Sequence, residues 1–143
     1  MSTRSRGNAF EKKVIEHWTG RGWLCERALA KLVAIGPGRF ITQAHDFYGC
    51  FDFIGLHPKA MQVALIQVTI GEASHRMAKI VAKLDEFKFN PEVHLVQVWK
   101  RQEADKQRVR IQTLVGGDPG YTWQESLVSF KDGIPDSVIG LEP

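Results

Sequence analysis

Two apolar runs, Phe51–His57 and Val63–Ile70, dominate the middle of the chain, and polar side chains break each where hydrocarbon is expected. In the second run, a period of two puts Val63, Leu65, Gln67 and Thr69 on one face. Ala64, Ile66, Val68 and Ile70 fall on the other. A continuous apolar strand is usually covered on both faces, so Gln67 and Thr69 are neighbouring polar groups aimed at a covering layer. Burying an amide without a partner costs about 1–3 kcal/mol, and the pattern predicts that something answers it. In the first run Asp52 interrupts Phe51, Phe53 and Ile54, although aspartate is depleted from strands.

The remaining pattern supplies the elements around these runs. Asn8–Gly20 reads as a helix with Phe10, Val14, Ile15 and Trp18 as its apolar stripe, Asn8 as cap and Gly20 as stop. Trp23–Ala28 reads as a strand, and Gly36-Pro37-Gly38 marks a turn between two short extended pieces within Lys31–Ala44. His57-Pro58-Lys59 turns the chain between the two apolar runs. Ser74–Phe89 is a second helix with Met77, Ile80, Val81, Leu84 and Phe87 inward. Val93–Lys100 and Arg108–Leu114 form a hairpin, and a short helix is expected near Trp123–Val128. The order helix, three strands, helix, two strands predicts an α/β protein with a central mixed sheet flanked by helices. A length of 143 residues fits a single domain over 1–143, its core at about 7–115 and 116–143 as a C-terminal extension.

Composition narrows the picture only slightly. No stretch approaches the roughly 20 apolar residues of a membrane span, so no membrane partner is expected. Met1–Gly7 has no hydrophobic signal core, which predicts a cytoplasmic protein. Cys25 and Cys50 lack metal-binding spacing. A net charge of +3 permits a nucleic-acid partner without requiring one.

Several polar residues then stand out. Glu11 shares a helix face with Val14, Ile15 and Trp18, where a carboxylate needs a cation, a metal or a raised pKa; a plain interaction with the helix dipole is the alternative. Asp46-Phe47-Tyr48-Gly49 reads as a type I turn, leaving Asp52 as the ligand candidate unless it merely caps the turn formed by Tyr48-Gly49-Cys50. The Gln67 amide oxygen and the Val68 carbonyl are hard donors suited to Mg²⁺ or Ca²⁺, while Thr69 can position a water but carries no charge. A hydrogen-bond ladder within the sheet is the plainer reading of Gln67 and Thr69. Arg76, Lys79 and Lys83 fall at i, i+3 and i+7 just after Thr69, with His75 beside them. They form either a solvated helix face or a phosphate contact.

Gly7-Asn8-Ala9-Phe10-Glu11-Lys12-Lys13-Val14, Gly22-Trp23, Arg27-Ala28, Phe51-Asp52-Phe53-Ile54 and Ala64-Leu65-Ile66-Gln67-Val68-Thr69 together resemble the PD-(D/E)XK nuclease superfamily, over about Gly7 to Lys100. The nearest likeness is to small Holliday-junction-resolvase-like members of archaea and phages. The resemblance implies a restriction-endonuclease-like core and an Mg²⁺- or Mn²⁺-dependent DNA endonuclease. It would be structure-specific, working as a two-fold dimer in a bacterial, archaeal or phage-infected cell, as a phage or mobile-element protein. Glu11 looks like the helix acid and Asp52 like the metal-binding aspartate, with Gln67 where a second acid is usual. The metal ligands implied are Asp52, Gln67, Val68 and Glu11. Arg27, His75, Arg76, Lys79 and Lys83 would meet the nucleic acid. Thr69 stands where the family's catalytic lysine is expected, which leaves Lys79, or Arg76, to replace it. The alternative is a catalytically inactive nucleic-acid-binding protein on a nuclease scaffold. A third reading is an interaction module whose odd polar residues are hydrogen-bonded core features.

Overall fold

The computed structural model describes residues 3–28, 31–43, 46–86, 88–116 and 120–141. Helix α1 (Thr3–Thr19) leads into strand β1 (Leu24–Arg27), a hairpin of β2 (Lys31–Gly36) and β3 (Arg39–Gln43), then β4 (Phe53–Leu56) and β5 (Val63–Thr69). Helix α2 (Ala73–Leu84) crosses over to β6 (His94–Arg101), followed by β7 (Arg108–Gly116), β8 (Tyr121–Ser129) and a short 3₁₀ turn at Asp136–Ile139. Six strands form one sheet in the order β1-β4-β5-β6-β7-β8, and β2-β3 is a separate two-stranded sheet. Among the described strands only β5 and β6 run parallel, because α2 carries the chain back across the sheet; the other neighbours are antiparallel. The protein is thus α/β with a mixed central sheet and two helices.

The period-two alternation of β5 holds in three dimensions. Ala64, Ile66 and Val68 pack with Phe10, Val14 and Trp18 of α1, whereas Leu65 packs with Ile80 and Leu84 of α2. Trp18 anchors the α1 side, its ring 5.0 Å from that of Trp23 and 5.9 Å from that of Trp99. Truncating a large aromatic in such a layer costs about 3–5 kcal/mol. Between α1 and β1 the chain reverses through Gly22 at φ 92°, where a Cβ would lie 2.9 Å from the His57 ring. Only glycine fits there.

Several expected boundaries move. Helix α1 begins at Thr3 rather than Asn8, so Asn8 lies inside the helix and caps nothing. Residues 3–9 contain no large apolar side chain, so periodicity could not reveal that turn. Helix α2 ends at Leu84, five residues before the expected Phe89; Phe87 lies outside the described residues. The turn at Asp46 closes with the Gly49 N–H donating to the Asp46 carbonyl (3.1 Å), but Tyr48 has φ 55°, which rules out type I. The short helix expected near Trp123–Val128 is instead strand β8, paired with β7 over nine positions from Gly116↔Tyr121 to Arg108↔Ser129. Its Gln-Glu-Ser-Leu composition favours helix locally, but the open edge of β7 claims the backbone. Beyond it, Ile134 and Ile139 are buried on the α1 side, and Gln97 Nε2 donates to the Val138 carbonyl (2.6 Å), so the C-terminal segment joins the same core. Trp99 is wholly buried in that core. Among the described residues no helix is long and apolar enough to cross a membrane.

Candidate active site

Asp52 sits at a bend immediately before β4, not within the ladder, which explains why a strand-averse residue is accepted there. Its backbone still continues the sheet: the Asp52 N–H donates to the Ile66 carbonyl (2.8 Å), and the Ala28 N–H donates to the Asp52 carbonyl (2.8 Å). The pairing Phe53↔Ile66 sets Asp52 across from Gln67. Gln67 Nε2 donates to Asp52 Oδ2 (2.8 Å), and the Val68 N–H donates to the same oxygen (2.7 Å). The buried amide that the sequence leaves unexplained is answered by Asp52. Both bonds go to Oδ2, so among the described residues Oδ1 has no hydrogen-bond donor.

Burial raises the Asp52 carboxyl from 3.8 to about 7; the Val68 N–H opposes this, Glu11 and Asp46 add to it, and Arg76 opposes it. A carboxyl so placed is an acid short of positive charge.

The carboxylate opens on a cavity of about 610 Å³ lined by Glu11, Asp52, Val68, Thr69, Glu72, His75, Arg76 and Lys79, with Gly7, Asn8, Ile70 and Gly71 completing it. Seven residues proposed from the sequence therefore meet in one place. Three do not reach it. Gln67 is buried behind the carboxylate, and its amide also donates to the Val68 carbonyl (3.2 Å), so Nε2 rather than Oε1 faces the acceptors. Serving as a metal ligand would require the amide to turn over. Lys83 is held by Glu86 at 3.0 Å, which splits the expected basic stripe after Lys79. Arg27 is paired with Glu11 through two contacts, Nε to Oε1 at 3.2 Å and Nη2 to Oε2 at 3.3 Å. The Glu11 side chain is 14% exposed, so a charged acid near the core has found its cation in Arg27. Thr69 accepts the Gly71 N–H on Oγ1 (3.0 Å), bracing the turn that launches α2. Among the described residues, no three His, Cys, Asp or Glu side chains converge as a metal-binding group.

Two residues escaped the sequence reading. Glu72 stands at the N-cap of α2 and lines the cavity, its Oε1 accepting from Ser74 Oγ (3.0 Å); an acid three residues after Thr69 was the available signal. Lys100 pairs with Thr69 across the parallel β5–β6 ladder, on the face that carries Val96 and Val98 toward α2. Nothing in the sequence reveals that register.

A second cavity of about 650 Å³ lies against β7 and β8, but its arginines are already matched: Arg108 with Asp105 at 3.6 Å and Arg110 with Glu125 at 2.8 Å. Cys25 and Cys50 are free thiols whose pKa values burial raises, to about 11 for Cys25, which leaves them poor nucleophiles.

The Asp52–Gln67 contact yields a direct expectation. Gln67→Glu would set two carboxylates against each other, a pair that needs either a shared proton or a cation. Titration calorimetry with Mn²⁺ at pH 8 should show at least about ten-fold tighter binding for the variant. Unchanged affinity would place the ion elsewhere.

Comparison with protein-family models, with curated proteins and with solved structures finds no match for this chain.

Proposed function

We propose that this chain is a metal-dependent endonuclease that hydrolyses phosphodiester bonds in DNA, on a restriction-endonuclease-like core. The observation that carries the reading is the Asp52 carboxylate: one oxygen is fixed by two donors and the other is left over, in a cavity also lined by Arg76 and Lys79. The element order supports it, since α1, the antiparallel main-sheet strands β1, β4 and β5, α2 and a parallel β6 follow the helix–strands–helix–strands plan that the resemblance implies.

Mg²⁺ commonly binds through one or two carboxylates and keeps waters and substrate phosphates in its other positions. Asp52, the Val68 carbonyl and Glu11 suit that requirement, being hard oxygens at one cavity. Bound there, Mg²⁺ or Mn²⁺ would lower the pKa of an attacking water and offset charge developing on the phosphate. The chain's own residues do the rest. Gln67 and the Val68 N–H aim the Asp52 carboxylate, Thr69 braces the turn, and Arg76 and Lys79 receive the phosphodiester near the α2 N-terminus, whose dipole favours an anion.

A second reading, a nucleic-acid-binding protein without activity, is favoured by the Glu11–Arg27 ion pair and the Nε2-inward Gln67, which leave Asp52 alone of the three expected side-chain ligands with an oxygen that no donor occupies. Arg27→Ala separates the two. In the nuclease, releasing Glu11 should tighten Mn²⁺ binding several-fold while weakening DNA binding, by calorimetry and fluorescence anisotropy. In the inactive binder, DNA affinity falls and Mn²⁺ affinity stays immeasurably weak in both proteins.

A further inference from the structure

Among the described residues, strands β2 and β3 pair only with each other, outside the six-stranded sheet. Their connection is built for stiffness: Pro37 fixes one φ, Gly38 takes φ 68°, and the Gly36↔Arg39 pair closes the turn, with a register shift between Ala34 and Gly36. This prong holds large apolar side chains out in water, with Ile35 58% and Phe40 59% exposed. Large apolar side chains held out on a stiff projection suit a contact surface.

Charge and position narrow the partner. From Ala28 to Gln43 the sequence has no acid, while Lys31 and Arg39 are basic, and Arg39 is exposed at the tip beside Phe40. Both roots of the prong lie at the Asp52 end of the sheet. Ala28, one residue beyond β1, donates its N–H to the Asp52 carbonyl, and Phe47, on the returning chain, bridges to Phe51. An aromatic side chain beside a basic one, with no acid nearby in the sequence, suits nucleic acid whose bases are unstacked, because every base offers a face to an aromatic ring and every phosphate a charge to arginine.

We infer that the prong is a base-stacking wedge: Phe40 packs against unpaired bases while Arg39, next to it in the chain, holds the adjoining phosphate. The inference rests on the nuclease reading and adds to it a base contact outside the Asp52 cavity. Among the described residues no side chain lining that cavity is aromatic except His75, so stacking on a base has to come from elsewhere on the surface.

The test is binding by fluorescence anisotropy, with Ca²⁺ in place of Mg²⁺, to a four-way junction, a single strand and a plain duplex. Phe40→Ala should weaken junction and single-strand binding about ten-fold or more and leave duplex binding within about two-fold. Phe40→Leu, which keeps the apolar volume, should lose most of the same affinity because it lacks the ring. A 2-aminopurine placed at the unpaired position should report stacking with the wild type and not with Phe40→Ala. If both variants match the wild type on every DNA, the wedge is wrong and the nuclease reading stands on Arg76 and Lys79. If the wild type binds none of the three, both fall. If Phe40→Ala instead turns a dimer into a monomer with unchanged DNA affinity, the prong is a surface between copies and the wedge is overturned.

Discussion

Lys79→Ala should lower the cleavage rate about a hundred- to a thousand-fold, the usual cost of removing one group that stabilises developing charge, while Mn²⁺ affinity stays unchanged. Thr69 carries no charge at any pH, so a working site must draw positive charge from elsewhere. Lys79 is exposed, lines the cavity with Asp52 and has no ion-pair partner among the described residues. A lysine ammonium is a compact charge on a flexible stem, able to serve both a water and a phosphate oxygen. Arg76, half-buried in the same wall, is the better clamp for phosphate, and its loss should appear mainly as weaker DNA binding. Thr69→Lys in the Lys79→Ala background should recover part of the rate. Recovery should be partial because the new side chain gives up the Thr69 Oγ1 bond to the Gly71 N–H. Lys100→Ala is the control: a loss as large as that of Lys79→Ala would move the catalytic charge to β6. Single-turnover cleavage with each variant decides among these outcomes.

Asp52→Asn should stabilise the metal-free protein at pH 8 and leave it nearly unchanged at pH 4. Asp52 has a folded pKa of about 7 against an ordinary 3.8, so the folded state holds a proton that the unfolded state releases between those values. The contribution is fully present below pH 4 and is lost as pH rises to 7, on the order of 4 kcal/mol in all. His17 acts in the opposite sense over part of the same window. Burial lowers it to about 4, with Arg21 adding and Asp136 opposing, so its contribution is lost as pH falls from 6.5. Wild-type stability alone would therefore blur the two effects, whereas the difference between variant and wild type isolates Asp52. Asparagine keeps an oxygen for the Gln67 and Val68 donors, so the fold survives. At pH 8 the variant should melt on the order of 10 °C higher, and Mg²⁺ should narrow that gap by stabilising only the wild type. Equal melting temperatures from pH 4 to pH 8 would show that the carboxylate is not short of charge.

What the sequence makes legible here is local or periodic. The two faces of β5 follow from a period of two, and with them the convergence of Gln67 on Asp52 once the intervening turn at His57-Pro58-Lys59 sets the pairing. The β2–β3 prong is visible in Gly36-Pro37-Gly38. What escapes the sequence depends on long-range register. Arg27 meets Glu11 only because β1 runs antiparallel to β4 beside α1, so a residue expected to meet nucleic acid is also the partner of the helix acid. Lys100 reaches the level of Thr69 only through the α2 crossover. The segment around Trp123 looks helical until β7 offers it an edge. The basic stripe on α2 is a case in between: spacing puts Arg76, Lys79 and Lys83 on one face, but Glu86 draws the last of them away.

The most direct measurement is cleavage of branched and linear DNA at pH 8 by the wild type and by Asp52→Asn, each with Mg²⁺ or Mn²⁺ and again with EDTA. The wild type should cut only with the metal, branched DNA before plain duplex, and Asp52→Asn should not cut at all. Equal cleavage by Asp52→Asn, cleavage that persists in EDTA, or no cleavage of any DNA by the wild type with either metal would contradict the assignment of Asp52 as the centre of a nuclease site.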